Sequence, residues 1–80
     1  LARLTGSATR SDVVVAAPPY AVPNEVVGNV VRALIPILAP GADIVIERGR
    51  RTGELDWPSP LQHRRTKRYG DTLLCYGLAP

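Results

Sequence analysis

DVVVAAPPY, residues 12–20, is the stretch that decides the fold. Three valines and two alanines follow one another with no polar residue between them, so the strand they form has no solvent face. Uninterrupted apolar runs of this kind belong to parallel strands covered on both sides. The run stops at Pro18-Pro19, which lack amide donors and hold the exit extended. Two prolines and Tyr20 at the mouth of a buried strand are more than a plain turn needs, and they mark a candidate site. They also suffice as a simple strand stop, and local sequence does not separate the two.

Working outward, EVVGNVVRALIPIL carries Val26, Val30 and Leu34 at every fourth position, and Val27, Val31 and Ile35 likewise. The two rows make one wide apolar stripe, which predicts a helix packed on a sheet. Asn24 is the expected N-cap. Pro36 cannot donate to the carbonyl of Arg32, so the helix should end near Ile35, and Pro40-Gly41 closes the segment. ADIVIER, residues 42–48, then reads as a second largely apolar strand. Strand, helix and strand with short connections form a βαβ unit with parallel strands and a right-handed crossover. GRRTGELDWPSP has no period and reads as a loop, and HRRTKRYGDTLLCYGLA predicts a hairpin turning at Gly70-Asp71. Upstream, LARLTGSATRS reads as the tail of a helix followed by a loop.

A βαβ unit and a hairpin do not complete a doubly wound sheet, and no G-x-G-x-x-G occurs in the chain. The expectation is an α/β chain: the C-terminal half of a Rossmann-like domain, a parallel βαβ unit followed by an antiparallel β-hairpin. Residues 1–80 then form a single partial domain, whose cofactor-binding N-terminal half lies upstream.

Composition narrows the class. Apolar residues make up 45% of the 80, which excludes a disordered chain. The single cysteine excludes an internal disulfide framework. No apolar run approaches the roughly 18 residues of a membrane span. Net charge is +3, and seven of the ten Lys and Arg fall between residues 48 and 68. Clustered positive charge is the footprint of a polyanion partner, or else a solvated polar edge.

VVVAAPPY resembles the strand-end signature of amino-methyltransferases, an acidic or amide residue followed by Pro-Pro and an aromatic. LAPGADIVIER and RRTKRYGDTLLCY, with Tyr-Gly-Asp-Thr at its turn, resemble the strand and closing hairpin of one bacterial branch. Together, over about residues 10–78, the chain resembles the C-terminal half of the RsmD-like small-subunit rRNA guanine-N2 methyltransferases.

That resemblance implies a cytoplasmic bacterial enzyme, acting as a monomer without a metal. It would transfer a methyl group from S-adenosylmethionine to the exocyclic N2 amine of a guanine in 16S rRNA, with the small ribosomal subunit as partner. It implies a catalytic stretch at Ala17, Pro18, Pro19 and Tyr20, and none of the cofactor-binding residues within this chain. The amine is a poor nucleophile, because its lone pair is delocalised into the base, so it needs acceptors that orient it. A backbone carbonyl at the Pro-Pro exit can serve, and the Tyr20 ring can stack on an extruded base. The basic residues Arg64, Arg65, Lys67 and Arg68 of the hairpin are the expected RNA contacts, although strand alternation would send Arg64 and Arg65 to opposite faces. One departure stands out: the family's residue before Pro-Pro is normally Asp, and here it is Ala17. Two alternatives remain open, a catalytically impaired or non-catalytic RNA-binding relic and a DNA adenine-N6 methyltransferase.

Other residues have plainer readings. Glu47 matches a family glutamate, or is a solvated strand end paired with Arg48. His63 has no Cys or Asp at ligand spacing. Cys75 reads as a small core residue, and Trp57 as the anchor of the loop on the sheet. Tyr69 and Asp71 should organise the hairpin turn, with Asp71 capping backbone amides.

Overall fold

The computed structural model describes the backbone of residues 2–6 and 11–80, and side chains from Val13 onward. Strand β1 spans Ala2–Gly6 and β2 spans Ser11–Ala16. Helix α1 spans Asn24–Ala33, and one 3-10 turn, Ile35–Ile37, leads into β3, Leu38–Gly49. Strands β4, Gln62–Tyr69, and β5, Thr72–Leu78, complete a five-stranded sheet in the order β1-β2-β3-β5-β4. β2 and β3 run parallel, with Val14 beside Ile44 and Ala16 beside Ile46, and α1 is their crossover. β5 inserts antiparallel to β3, and β4 pairs with β5 at the edge. This is the expected α/β arrangement of a parallel βαβ unit followed by an antiparallel hairpin.

One face of the sheet carries the core. Val14, Ile44, Ile46 and Cys75 project from it against Val27 and Val31 of α1, and all are buried. The loop after β3 continues the same cover: the Leu55 amide donates to the Cys75 sulfur at 3.5 Å, and Trp57 lies over Gly77. Burial pushes the Cys75 thiol up from its ordinary pKa, so it packs as an apolar side chain and not as a thiolate. Leu34 and Ile35 close the lower end, where Pro36 ends the helix as its missing amide requires.

The other face departs from expectation. Val15 is 45% exposed, and Val13, Val45, Leu74 and Tyr76 on the same side are only partly buried. A strand with three successive valines asks for cover on both sides, but among the described residues the α-helix and the long loop after β3 both pack on the same side. The second apolar row of α1 is open for the same reason, with Val26 and Val30 exposed.

Three further expectations change. Residues 2–6 form a strand antiparallel to β2, not a helix tail, and the alternation Ala2-Arg3-Leu4-Thr5 is its period-two signal; residues 7–10 of the expected loop lie outside the described residues. Pro23, not Asn24, occupies the N-cap position of α1, with no side-chain cap. The second strand starts at Leu38, and Pro40-Gly41 bulges within it, Gly41 having φ 76°. The hairpin turn falls at Gly70-Asp71 as expected, with Gly70 at φ 60° in its first position, as a type II′ turn requires.

Gly77 is fixed by contact. A Cβ there would stand 2.7 Å from the Trp57 ring. Gly77→Ala should therefore destabilise the fold by about 1–3 kcal/mol, the usual cost of overpacking. Chemical denaturation followed by Trp57 fluorescence measures it, and an unchanged midpoint would show that the loop moves aside freely.

Candidate functional site

β2 and β3 are parallel, so their C-terminal ends lie at one end of the sheet, where open α/β sheets bind ligands. The register brings three loops together there. Ala16 leads into the Ala17-Pro18-Pro19-Tyr20 stretch, Gly49 into the turn Arg50-Arg51-Thr52-Gly53, and Gly49 also pairs with Thr72 beside the β4–β5 turn.

Ala17 and Pro19 are exposed, and Pro18 is half-buried against an apolar groove that includes Val14, Val22, Val27 and Ile46. The Pro19 carbonyl accepts the Val22 amide at 2.9 Å, closing a tight turn around Tyr20. Among the described residues no hydrogen bond reaches the carbonyls of Ala17 and Pro18. Tyr20 folds back on the open face of the sheet. Its ring lies on Gly49, where a Cβ would be 2.7 Å away, and its hydroxyl donates to Glu47 Oε2 at 2.9 Å. The ring is 46% exposed, so it has a free surface with a fixed orientation. Glu47 thus serves Tyr20 and not Arg48, its expected partner.

Arg48, read from the sequence only as a partner for Glu47 and a member of the basic cluster, has a different place. It is fully buried on the helix side, and among the described residues it meets no carboxylate. Its Nε donates to Asn24 Oδ1 at 2.8 Å, one Nη donates to the Val22 carbonyl, and the other makes a 3.5 Å contact with the Pro19 carbonyl. Asn24 completes the link, its Nδ2 donating to the Thr52 carbonyl at 2.7 Å. One guanidinium and one amide therefore tie the Pro-Pro loop, the start of α1 and the turn after β3 into a single unit. This use of its side chain explains why Asn24 does not cap the helix. The signal in the sequence was an arginine at a position whose strand neighbours two and four residues back, Ile46 and Ile44, point into the core.

The hairpin's basic residues lie elsewhere. Arg65 and Lys67 stand over the Tyr76 ring on the open face, at 4.9 Å and 5.8 Å from its centre. The ladder slips between His63 and Arg65, and Arg64 joins Arg65 in one groove with Asp43 and Tyr76. The expected split of Arg64 and Arg65 between opposite faces is thus undone by one irregularity. Arg68 lies next to the turn, with its Nε 3.5 Å from the Gly70 carbonyl. Among the described residues the Asp71 side chain caps no amide: its backbone carbonyl accepts the Arg50 amide at 2.8 Å, and its exposed carboxylate stands 3.9 Å from the Arg50 guanidinium. His63 faces Thr66 and Glu54 on the surface. Among the described residues no cluster of His, Cys, Asp and Glu is placed to hold a metal, and no helix is long and apolar enough to cross a membrane.

Comparisons with known proteins agree with this geometry. A family model described as conserved hypothetical protein 95 matches residues 1–77. Among solved structures, a crystal structure of a "putative methylase" from Haemophilus influenzae matches with a TM-score of 0.68 at 21% identity, over 86% of this chain and 42% of that one. The chain thus spans less than half the length of that protein, and at this identity the likeness speaks to the fold. No protein of curated function matches.

Replacing Arg48 tests the link. Arg48→Lys keeps the charge but not the fork, and one ammonium cannot reach Asn24 and Val22 from opposite sides. A lost hydrogen bond to a buried charge costs about 1.5–3 kcal/mol, so the folded state should weaken by about that amount. Urea denaturation of the two proteins measures the loss, and equal stability would show that the buried guanidinium carries no structural role.

Proposed function

The chain belongs to the family described as conserved hypothetical protein 95, the RsmD-like methyltransferases, and from that premise we propose that it carries the acceptor side of the active site. The reaction proposed is methyl transfer from S-adenosylmethionine to the exocyclic N2 amine of a guanine in 16S rRNA. The observation that carries the reading is the Pro-Pro-Tyr loop, fixed at the C-terminal end of β2 with two carbonyls that have no partner among the described residues, beside an oriented, exposed ring.

Each part has work in that reaction. The Ala17 and Pro18 carbonyls accept the hydrogens of the amine and turn its lone pair toward the incoming methyl. Tyr20 supports the base once it has left its stack. The new N–C bond would form as the methyl–sulfur bond of S-adenosylmethionine breaks, leaving S-adenosylhomocysteine; the positive charge that grows on the nitrogen would be relieved by loss of one amine proton to solvent. The edge strand with Arg64, Arg65, Lys67 and Arg68 supplies contacts for flanking RNA phosphates.

S-adenosylmethionine contributes the methyl group. These residues do not suffice to hold it. Neither β2 nor β3 leads into a glycine-rich turn, and the groove beside Pro18 is lined by aliphatic side chains. Its charged methionine end has no partner there, so the chain's own part is confined to binding and orienting the acceptor base.

Ala17 gives the reading its test, and also favours the alternative of an impaired enzyme. A methyl side chain accepts no hydrogen bond, whereas a carboxylate at that position would stabilise the growing charge. The position is exposed, so a charge there carries little burial cost. In the complete protein, which carries the cofactor-binding half as well, Ala17→Asp should raise the single-turnover rate on small-subunit rRNA by about tenfold to a hundredfold, from a charged hydrogen bond of about 1.5–3 kcal/mol. An unchanged or slower rate removes the side chain at position 17 from the mechanism. If neither complete protein methylates rRNA, the proposed activity falls.

A further inference from the structure

We infer that the turn after β3 is a phosphate clamp, in which Arg50 and Arg51 hold the backbone of the same nucleotide strand whose base rests on Tyr20. The inference rests on the reading of Tyr20 as a base platform and adds a site to it. Arg50, Arg51, Thr52, Gly49, Asp71 and Tyr20 line one open cleft. The ring and both arginines line the same cleft, so a base stacked on the ring would bring its phosphates into the space that the two arginines share.

The turn is built to hold that position. The Thr52 amide and hydroxyl both donate to the Gly49 carbonyl, at 3.1 Å and 2.8 Å, and the Gly53 amide donates to the Arg50 carbonyl at 3.3 Å. Asn24 grips the Thr52 carbonyl from below, and Arg48 grips Asn24. Backbone order is thus spent on a turn whose two charged side chains are both exposed. Neither is committed. The Arg50 guanidinium is 61% exposed and only 3.9 Å from an Asp71 carboxylate that is itself 92% exposed, an arrangement that contributes little to stability. Arg51 has no ion-pair or hydrogen-bond partner among the described residues. By contrast, Arg65 and Lys67 on β4 are engaged with the Tyr76 ring. Free arginines on a fixed turn beside a fixed aromatic ring suit single-stranded nucleic acid, which is bound by stacking and by backbone charge together. Arginine also matches phosphate with two parallel hydrogen bonds.

The test is binding of a fluorescently labelled single-stranded RNA dodecamer, followed by anisotropy across a salt series. Each lost phosphate contact lowers the slope of log affinity against log salt by about 0.7. Arg51→Ala should lose about that amount and the double variant Arg50→Ala/Arg51→Ala about twice it. Arg51→Lys should keep the slope because it keeps the charge, and thermal unfolding should be unaltered in all three. Tyr20→Ala should weaken binding with the slope unchanged, since stacking releases no counterions. An unchanged slope in the double variant overturns the clamp while leaving the methyltransferase reading in place. If the unaltered protein binds no single strand, both readings fall. A DNA strand of the same sequence separates the sources of phosphate: equal binding keeps the clamp and removes RNA as its particular target.

Discussion

A buried charge that meets no opposite charge among the described residues organises one end of this molecule. Taking a guanidinium out of water is costly, and Arg48 meets that cost with an amide oxygen and two backbone carbonyls. These acceptors come from the Pro-Pro loop and the first residue of α1. The arrangement forces the loop to fold over the strand end, because any other path would strand the arginine without acceptors. Tyr20 then has a single place to lie, over Gly49 with its hydroxyl on Glu47. Consecutive residues of β3 thus act on opposite sides of the sheet. Glu47 holds the ring on the open side, and Arg48 holds the loop on the helix side.

The layout of the sheet could be read from residue patterns alone. The apolar runs DVVVAA and ADIVIER and the four-residue repeats of Val26 to Ile35 each formed an element of the expected type. What escaped was set by contacts between distant residues. Asn24 has the chemistry of a cap, but its amide is drawn away by Arg48 and Thr52, 24 and 28 residues on. Arg64 and Arg65 alternate in an ideal strand, but a slip in the ladder puts both in one groove. The strand at Ala2–Gly6 is short and carries a single apolar side chain larger than alanine, too weak a signal to displace a helix reading. The Pro-Pro-Tyr stretch was visible as a site, while the device that fixes it was not, because Arg48 read as one member of a basic cluster and its acceptors lie 24 to 29 residues away.

Positive charge illustrates the same gap. The cluster between residues 48 and 68 is one feature on paper and three in space. Arg48 is interior and structural. Arg50 and Arg51 stand at the strand ends beside Tyr20. The hairpin group spreads along the outermost strand, where Tyr76 takes up Arg65 and Lys67. Counting charges along a chain measures its attraction for a polyanion, but the fold decides which of them share a ligand.

The position of β4 has a consequence of another kind. It is the last strand of the sheet, and every residue in it except Thr66 is exposed. An outermost strand offers its unpaired amides and carbonyls to any extended chain, including another copy of itself. Here the offer is withdrawn by composition. A second β4 aligned beside the first would set arginine and lysine against arginine and lysine, and like charges directly opposite oppose pairing. Such self-repulsion keeps the sheet from growing sideways into a fibre.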